Sequence, residues 1–319
     1  MSMLVMLVLC ASPGPAEPLE TTVAGGNVVL LTMDGVRWQD FFREGPDAVF
    51  PTFWAKYAPE ATIFGDPRTG ERFEVTTPAL LSLPAYQEIM TGHHVPCGSN
   101  QCGRVDDETL IDELVSAGLG AQTAVVASWG PIANATSSKA YPFVDAGFHE
   151  GDARPPWWRA RFDKSTWARA LEAVSARPRF LWISLNDADE WAHRGAQDNY
   201  QNILKRYDRW FDELVTRVRS LEGYGERTTI LVTTDHGRGA GEDWTSHGAD
   251  YPMARQVFAF ALGPGTGHPR PWCDAGHQAI RPTIEALLGL RADSPLPVVI
   301  PPARFSVPEQ RAAAVQAGP

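Results

Sequence analysis

The chain has 319 residues, of which 44% are hydrophobic and 21% charged, and this composition predicts a folded protein with a sizeable core. Its formal net charge of -10 argues against a nucleic-acid-binding module, because phosphate backbones are bound by basic patches. Beyond the N-terminal run, no segment approaches the roughly 20 apolar residues of a transmembrane span. The sequence does not indicate an oligomeric state.

The N-terminus carries an apolar run, residues 3–10, followed by small residues and prolines. This pattern is typical of the core and cleavage region of a secretory signal, so we expect residues 1–22 to be a leader segment. The protein would then be exported: periplasmic, secreted or lipid-anchored through Cys10. The run lacks a basic segment before it, and a plain apolar tail is the alternative.

Apolar runs and helical periodicities alternate along the rest of the chain. The run Asn27–Met33 predicts a buried strand, and residues 199–221, with apolar and aromatic residues at helical spacing, predict the clearest helix. Further strands are predicted at 61–64, 123–127, 180–185, 230–232 and 257–262, and further helices at 52–57, 84–90, 107–117, 165–176 and 280–288. The alternation predicts an α/β fold, a doubly wound, mainly parallel sheet with helices on both faces.

We predict a single domain over residues 23–300. It contains an irregular stretch at about 141–158, rich in Gly, Pro and aromatic residues, that could be an insertion over a site. Residues 301–319 are rich in Pro and Ala and are predicted to form a loose C-terminal tail.

Two cysteines, Cys97 and Cys102, enclose the short polar segment GSNQ. In an exported protein they could form a local disulfide. A CxxxxC metal clip is the alternative, and it is disfavoured because no further Cys or His pair has matching spacing.

Acidic and histidine side chains follow three of the predicted strands. They are Asp34 after the first strand, Asp189 and His193 after the strand 180–185, and Asp235, His236 and His247 after the strand 230–232. Open parallel sheets bind ligands at the carboxyl ends of their strands, and Asp and neutral His are standard zinc ligands. A lone Asp after a strand is more often a helix cap, but three strands that end in this way favour a metal site.

Ser82 stands just before Pro84 at a predicted helix start. Pro is favourable in the first turn of a helix, where the free backbone N–H groups and the helix dipole also favour an anion. The Ser82 side chain could simply cap the helix. Beside a metal site, its hydroxyl could instead ionise and serve as a nucleophile.

In chain order these motifs resemble the alkaline phosphatase superfamily, and most closely its nucleotide pyrophosphatase/phosphodiesterase branch. The motifs are Asp34, Ser82-Leu83-Pro84 with Thr91-Gly92, Asp189-xxx-His193, Asp235-His236-Gly237 and His247. In that branch the nucleophile lies in a T-x-P-N segment that runs on to TG, and the segment 82–92 has the same length. The resemblance covers about residues 27–290 and implies an alkaline-phosphatase-like catalytic domain.

The resemblance implies two divalent metal ions, with zinc as the family's usual metal and manganese as an alternative that these ligands also suit. One ion would be bound by Asp189, His193 and His247. The other would be bound by Asp34, Asp235 and His236, with Ser82 touching it. The implied reaction is hydrolysis of a small-molecule phosphodiester or phosphomonoester through a phosphoseryl intermediate on Ser82.

Two positions depart from the branch's pattern. Ser82 replaces the usual Thr, a minor chemical change. Ala85 replaces the Asn that follows the Pro and helps to bind the phosphoryl oxygens. A backbone N–H near Leu83 and another side chain would have to substitute, and the candidates are Asn100, Arg194 and Arg238.

Three other functions would use much of the same layout. A phosphoryl or phosphoethanolamine transferase would use the same residues, with an alcohol in place of water as the acceptor. A sulfatase is less expected, because Tyr86 stands where the sulfatase motif C/S-x-P-x-R requires Arg. A third alternative is a non-catalytic, metal-stabilised binding protein, which Ala85 favours. The hydroxyl group of Ser82 and the presence of all six expected ligands argue against it.

Overall fold

The computed structural model describes residues 25–153, 155–156, 160–267 and 274–290. Its strands are β1 (Asn27–Met33), β2 (Thr62–Phe64), β3 (Phe73–Glu74), β4 (Thr123–Ala127), β5 (Val144–Ala146), β6 (Phe180–Leu185), β7 (Thr228–Thr233), β8 (Gln256–Val257), β9 (Ala259–Leu262) and β10 (Ala275–Gly276). Its α-helices are α1 (Trp38–Phe41), α2 (Ser82–Thr91), α3 (Leu110–Ser116), α4 (Ala133–Thr136), α5 (Asp163–Ser175), α6 (Asp187–His193), α7 (Gln197–Arg219) and α8 (Ile280–Leu288). Short helical turns include a π-helical turn at Phe53–Tyr57 and a 3₁₀ turn at Gly241–Thr245.

Seven strands form the main sheet in the order β2-β9-β7-β1-β6-β4-β5. The strands from β7 to β5 are mutually parallel, whereas β9 runs antiparallel to β7 and β2 antiparallel to β9. A small second sheet has the order β10-β3-β8. The α/β fold with a mainly parallel sheet is therefore confirmed.

Both faces of the sheet are covered, and β1 shows why its sequence is apolar throughout. Val29 and Leu31 belong to a core that includes side chains of α5 and α7. Val28 and Leu30 point to the other face, into a core that includes side chains of α2, α3 and α8. All four side chains are at most 2% exposed, and each such burial contributes about 1.5–3 kcal/mol. A central strand with two buried faces thus fixes the sheet's position between the helix layers.

The predicted strands at 27–33, 123–127 and 180–185 agree with β1, β4 and β6. The predicted helix at 199–221 is observed as Gln197–Arg219. Helix α6 was not predicted, although it carries two of the proposed metal ligands. Its three acidic residues in the first turn suit a helix N-terminus but were interpreted only as the end of a strand.

The stretch 141–158, which we expected to be irregular, contains β5. This strand extends the main sheet because it pairs in parallel with β4. Trp157 and Trp158 of the same stretch lie outside the described residues, as do the predicted leader, Cys10 and the C-terminal tail. Within the described ranges, no helix combines the length and the apolar character needed to cross a membrane.

Candidate metal centre and nucleophile

Three neighbouring strands bring the predicted ligands to one edge of the sheet. The strands β7, β1 and β6 lie side by side, and all three are parallel. Asp34 follows β1, whereas Asp235 and His236 follow β7. Helix α6 begins directly after β6 and carries Asp189 and His193 on successive turns. The five side chains therefore meet at the carboxyl ends of the strands, as the sequence predicted.

Asp34, Asp235 and His236 form an inner cluster with at most 2% exposure each. Their potential ligand atoms lie within 4.8 Å of one another. Nε2 of His236 is 3.6 Å from Oδ1 of Asp34 and 3.4 Å from Oδ2 of Asp235. Nδ1 of His236 lies 2.9 Å from the Gly237 carbonyl, to which it donates, so the Nε2 lone pair faces the carboxylates.

The inner cluster has the properties of a cation site. Oδ2 of Asp235 is buried and has no hydrogen-bond partner among the described residues. Burial, and next the charges of Asp235 and Asp189, hold the pKa of Asp34 well above its usual range. Burial is also the main cause that raises the pKa of Asp235 to about 7. Two buried carboxylates with a neutral imidazole fit a divalent cation, which would compensate both charges.

Asp189, His193 and His247 form an outer cluster beside the inner one. Nε2 of His193 lies 3.2 Å from Oδ2 of Asp189 and 3.0 Å from Nε2 of His247. Nε2 of His247 lies 3.8 Å from Oδ1 of Asp189. The rings of His236 and His247 stack with centroids 3.7 Å apart, so the two clusters are adjacent. The structure thus brings all six predicted ligands to one region. The outer ligand atoms that lie within 4.8 Å of one another belong to Asp189, His247 and His236, whereas His193 lies at the margin of this group.

Ser82 faces the inner cluster. Its Oγ lies 3.2 Å from Nε2 of His236 and 3.4 Å from Oδ1 of Asp34, and the residue is only 4% exposed. Leu81, not Ser82, occupies the N-cap position of α2. The alternative that Ser82 caps the helix is therefore wrong, and its hydroxyl is left to contact the inner cluster.

Sequence reasoning missed two residues that orient the ligands. The Tyr86 hydroxyl is buried and donates to Oδ2 of Asp34 at 3.2 Å. Leu80 has a left-handed φ of 49°, and its carbonyl accepts from Nδ1 of His247 at 3.0 Å. A non-glycine residue in this region is strained and often marks a functional site. Tyr86 could have been noticed at its helical spacing from Ser82, but nothing in the sequence indicates the conformation of Leu80.

Gly35 allows the two clusters to approach each other. Its φ of 64° lies in the left-handed region, and its N–H donates to Oδ1 of Asp235 at 3.0 Å. A Cβ at this position would lie 2.6 Å from Oδ1 of Asp189 and 2.7 Å from the Arg238 guanidinium. Only glycine combines this conformation with this approach.

Of the three predicted phosphoryl contacts, Asn100 is hydrogen-bonded to the residue that follows Ser82. Its Oδ1 accepts from the backbone N–H of Leu83, next to Ser82, at 2.9 Å. A disulfide between Cys97 and Cys102 closes the loop that carries Asn100. The structure therefore contains the local disulfide that the cysteine spacing allowed.

Of the two predicted arginines, Arg194 is exposed and Arg238 is buried beside the outer cluster. Arg194 is exposed just after α6 and donates to the Pro156 carbonyl at 3.1 Å. Arg238 is wholly buried and donates to the carbonyls of Gly35 and Thr245 and to Asp189. The structure therefore gives the predicted substrate contact of Arg238 no support, because its guanidinium has no exposed surface and lies against the Asp189 carboxylate.

Residues 62–252 match the family described as type I phosphodiesterase / nucleotide pyrophosphatase. The chain belongs to this family. A 91-residue segment is 31% identical to human GPI ethanolamine phosphate transferase 1, covering 28% of this chain and 10% of that protein. The matched segment therefore spans about a tenth of the relative's length.

Solved structures with the same fold include three that cover most of this chain. A 2-O GAG sulfatase has a TM-score of 0.61 at 14% identity, covering 85% of this chain and 72% of its own. A protein in the alkaline phosphatase superfamily from Vibrio parahaemolyticus gives 0.59 at 14%, with 84% and 67% covered. The C-terminal periplasmic domain of EcEptC from Escherichia coli, in complex with Zn, gives 0.58 at 13%, with 84% of both chains covered.

The resemblance seen in the sequence motifs is thus confirmed. The chain belongs to the alkaline phosphatase superfamily and has candidate metal sites at the carboxyl edge of its sheet.

Proposed function

We propose that this enzyme transfers phosphoethanolamine, or a similar phosphoryl-linked group, from a phosphodiester donor to an alcohol through a covalent intermediate on Ser82. The observation that carries the proposal is the position of Ser82 Oγ, 3.2 Å from His236 and 3.4 Å from Asp34. From the sequence alone, hydrolysis was the first prediction and transfer the alternative. The similarity to GPI ethanolamine phosphate transferase 1 supports transfer.

The inner and outer clusters are the proposed binding sites for two divalent ions. The inner ion would be held by Asp34, Asp235 and His236, and the outer ion by Asp189, His193 and His247. Zinc is our preferred metal because the donor set suits it and because the related EcEptC domain contains Zn, with manganese as the alternative. When bound, such ions act as Lewis acids that stabilise charge on the attacking and leaving oxygens and favour ionised hydroxyl groups.

Ser82 performs the covalent chemistry in this proposal. Its Oγ forms a bond to phosphorus while the bond from phosphorus to the leaving alcohol breaks. The proton of Ser82 passes to solvent, and the leaving alkoxide takes up a proton. In the second step the acceptor hydroxyl attacks phosphorus, its proton passes to solvent, the bond to Ser82 Oγ breaks, and Ser82 is protonated again. Each step exchanges one phosphorus–oxygen bond for another, so no redox partner is needed.

The N-terminus of α2 and Asn100 are the proposed groups that bind the phosphoryl oxygens. Helix N-termini attract anions, and α2 begins at Ser82 itself. Oδ1 of Asn100 already accepts from the Leu83 N–H, whereas its amide nitrogen carries two donors. Asn100 would therefore replace the Asn that is absent at Ala85.

Hydrolysis of a phosphodiester is the second candidate, because the matched family is described as type I phosphodiesterase / nucleotide pyrophosphatase. Water would then be the acceptor in the second step. Sulfatase activity is not proposed, although one similar structure is a sulfatase. Tyr86, which stands at the position of the sulfatase Arg, is buried and donates to Asp34.

The proposal is tested with the zinc-loaded protein and three chromogenic substrates: bis-p-nitrophenyl phosphate, p-nitrophenyl phosphate and p-nitrophenyl sulfate. We expect metal-dependent cleavage of the diester. When glycerol is added as acceptor, part of the phosphoryl product should appear as a phosphate ester of glycerol. Ser82→Ala should reduce cleavage to background while bound zinc stays near two per chain. Ser220→Ala, which changes a serine at the end of α7, is the matched control. Diester cleavage that survives Ser82→Ala would refute the role of Ser82 as nucleophile. If glycerol is present and p-nitrophenyl phosphate is the sole phosphate product, hydrolysis is favoured over transfer.

We further propose that the protein acts in an oxidising compartment after export. The disulfide between Cys97 and Cys102 supports this, because disulfides persist mainly in exported proteins. Fractionation of cells that express the full chain tests the proposal, and recovery of all of the protein with reduced Cys97 in the cytosol would contradict it.

A further inference from the structure

The two clusters differ in the group that backs their carboxylates. In the inner cluster, Asp34 receives a hydrogen bond from the neutral hydroxyl of Tyr86. In the outer cluster, Asp189 is paired with the guanidinium of Arg238. The first partner adds no charge to its centre, whereas the second adds a full positive charge.

Arg238 is fixed in this position. It is 0% exposed, and its Nε donates to the Gly35 carbonyl at 3.1 Å. One terminal nitrogen donates to the Thr245 carbonyl at 2.8 Å, and the other contacts both the carbonyl, at 3.1 Å, and Oδ1 of Asp189. A buried guanidinium without a carboxylate would be strongly destabilising, so the pair with Asp189 is maintained whether or not a metal is bound.

Arg238 makes Asp189 electrostatically unlike the inner carboxylates. The Arg238 guanidinium lies against Oδ1 of Asp189, and Nε2 of His193 lies 3.2 Å from Oδ2 of the same carboxylate. The contacts of Asp34 are instead the hydroxyl groups of Tyr86 and Ser82 and Nε2 of His236. In the metal-free protein Asp189 thus already has a cationic partner, whereas Asp34 has a neutral hydroxyl group in the corresponding place.

We propose that Arg238 is a permanent counter-cation that competes with the outer metal ion for Asp189 and so weakens that centre relative to the inner one. The inference rests on the proposed dimetal function. Two cations that share one carboxylate repel each other, and a like charge at such short range changes a binding equilibrium by about tenfold or more. The inner centre therefore fills first, and the outer ion exchanges more readily.

The proposed effect of Arg238 on metal affinity is opposite to that of a residue that supports a metal ligand. Groups that hydrogen-bond to a metal ligand usually strengthen binding, and their removal costs about 10- to 100-fold in metal affinity. Removal of a competing cation should instead strengthen binding at the outer centre. The same removal should destabilise the metal-free protein, because it leaves Asp189 buried without its counter-charge.

The test is a zinc titration of the full chain. Metal is first removed from the protein with a chelator, and zinc binding is then measured by competition with a chromogenic chelator. The wild type should show two dissociation constants. Arg238→Gln, which removes the charge but keeps donor groups, should tighten the weaker constant about tenfold or more. It should also lower the melting temperature of the metal-free protein and enlarge the rise that zinc produces. Arg238→Lys, which keeps the charge, should leave the weaker constant near that of the wild type.

Weaker or unchanged outer binding in a folded Arg238→Gln protein, checked by circular dichroism, would overturn the inference. If that variant does not fold, Arg238→Lys decides alone: a tenfold loss of outer affinity would show that Arg238 acts by geometry and not by charge. A wild-type protein that takes up no zinc or manganese would instead contradict the proposed function. Two ions with equal affinity that do not respond to Arg238 would contradict only this inference.

Discussion

The hydrogen bond from Tyr86 to Asp34 gives a sharp prediction about the inner centre. Tyr86 is 0% exposed, and its ring packs against Trp182 with centroids 5.8 Å apart. Phenylalanine fills nearly the same volume, so Tyr86→Phe removes the hydroxyl and little else. Asp34 would then lose the donor that holds its Oδ2 and turns its Oδ1 towards Ser82.

The magnitude refers to the zinc-bound protein, in which Asp34 must be ionised to serve as a ligand. A hydrogen bond to an ionised group contributes about 1.5–3 kcal/mol, and loss of a partner that orients a metal ligand costs about 10- to 100-fold in metal affinity. We therefore expect Tyr86→Phe to weaken zinc binding at the inner centre by about that factor. Turnover at saturating zinc should also fall, because Oδ1 of Asp34 lies 3.4 Å from the Ser82 hydroxyl.

Chelator competition on the purified protein measures this change. Tyr57→Phe is the matched control, since the Tyr57 hydroxyl donates to Asp212, a carboxylate on α7 that is not a proposed ligand. The control should keep the wild-type zinc affinity. An unchanged inner dissociation constant in Tyr86→Phe would refute the argument that this hydroxyl orients Asp34.

Three further predictions concern the surroundings of the site. Burial lowers the pKa of His277 to about 4, from about 6.5 in the unfolded chain. Between these pH values the unfolded chain binds one proton more than the folded protein. The free energy of unfolding should therefore fall by roughly 3 kcal/mol as pH decreases from about 6.5 to about 4. His277→Gln should flatten denaturant-unfolding stability across that window, and an unchanged slope would exclude His277 as its cause. Asn100→Ala should lower kcat/KM for the diester about tenfold or more with two zinc ions still bound, whereas an unaltered rate would remove Asn100 from the site. The Cys97→Ser/Cys102→Ser variant should reproduce much of that loss through the loop, and full activity in it would show that the loop needs no disulfide.

The positions of the candidate metal ligands were predictable because these residues follow apolar runs. The apolar runs of strands β1, β6 and β7 are recognisable in the sequence as buried strands. Parallel strands that lie side by side present their carboxyl ends at one edge of the sheet. The position of Asp34 after β1 and of Asp235 after β7 therefore already placed the two carboxylates together. The order of the motifs along the chain was sufficient to predict that these two carboxylates lie close together.

Helix α6 and its support were not predictable in the same way. Oδ1 and Oδ2 of Asp163 accept from the backbone N–H groups of Asn186 and Asp187, at 2.8 and 2.9 Å, where α6 begins. This cap comes from a residue more than 20 positions earlier, so no local pattern announces it. The placement of the candidate ligands Asp189 and His193 thus depends on a contact that only the folded chain reveals.

Arg238 shows a second limit of sequence reasoning. Beside a phosphate-binding site, an arginine is expected to contact the anion. The sequence does not distinguish this role from that of a buried partner to a ligand carboxylate. The difference arises from Gly35, whose lack of a side chain leaves the space in which Arg238 reaches Asp189.

The most direct test of the central claim is to trap the covalent intermediate on Ser82. The zinc-loaded enzyme is mixed with a diester donor, quenched in acid during turnover, digested and analysed by mass spectrometry. We predict a phosphoryl-linked adduct on the peptide that contains Ser82, which disappears at the rate of turnover when an alcohol acceptor is added. Turnover that continues without any adduct on Ser82 would contradict the account.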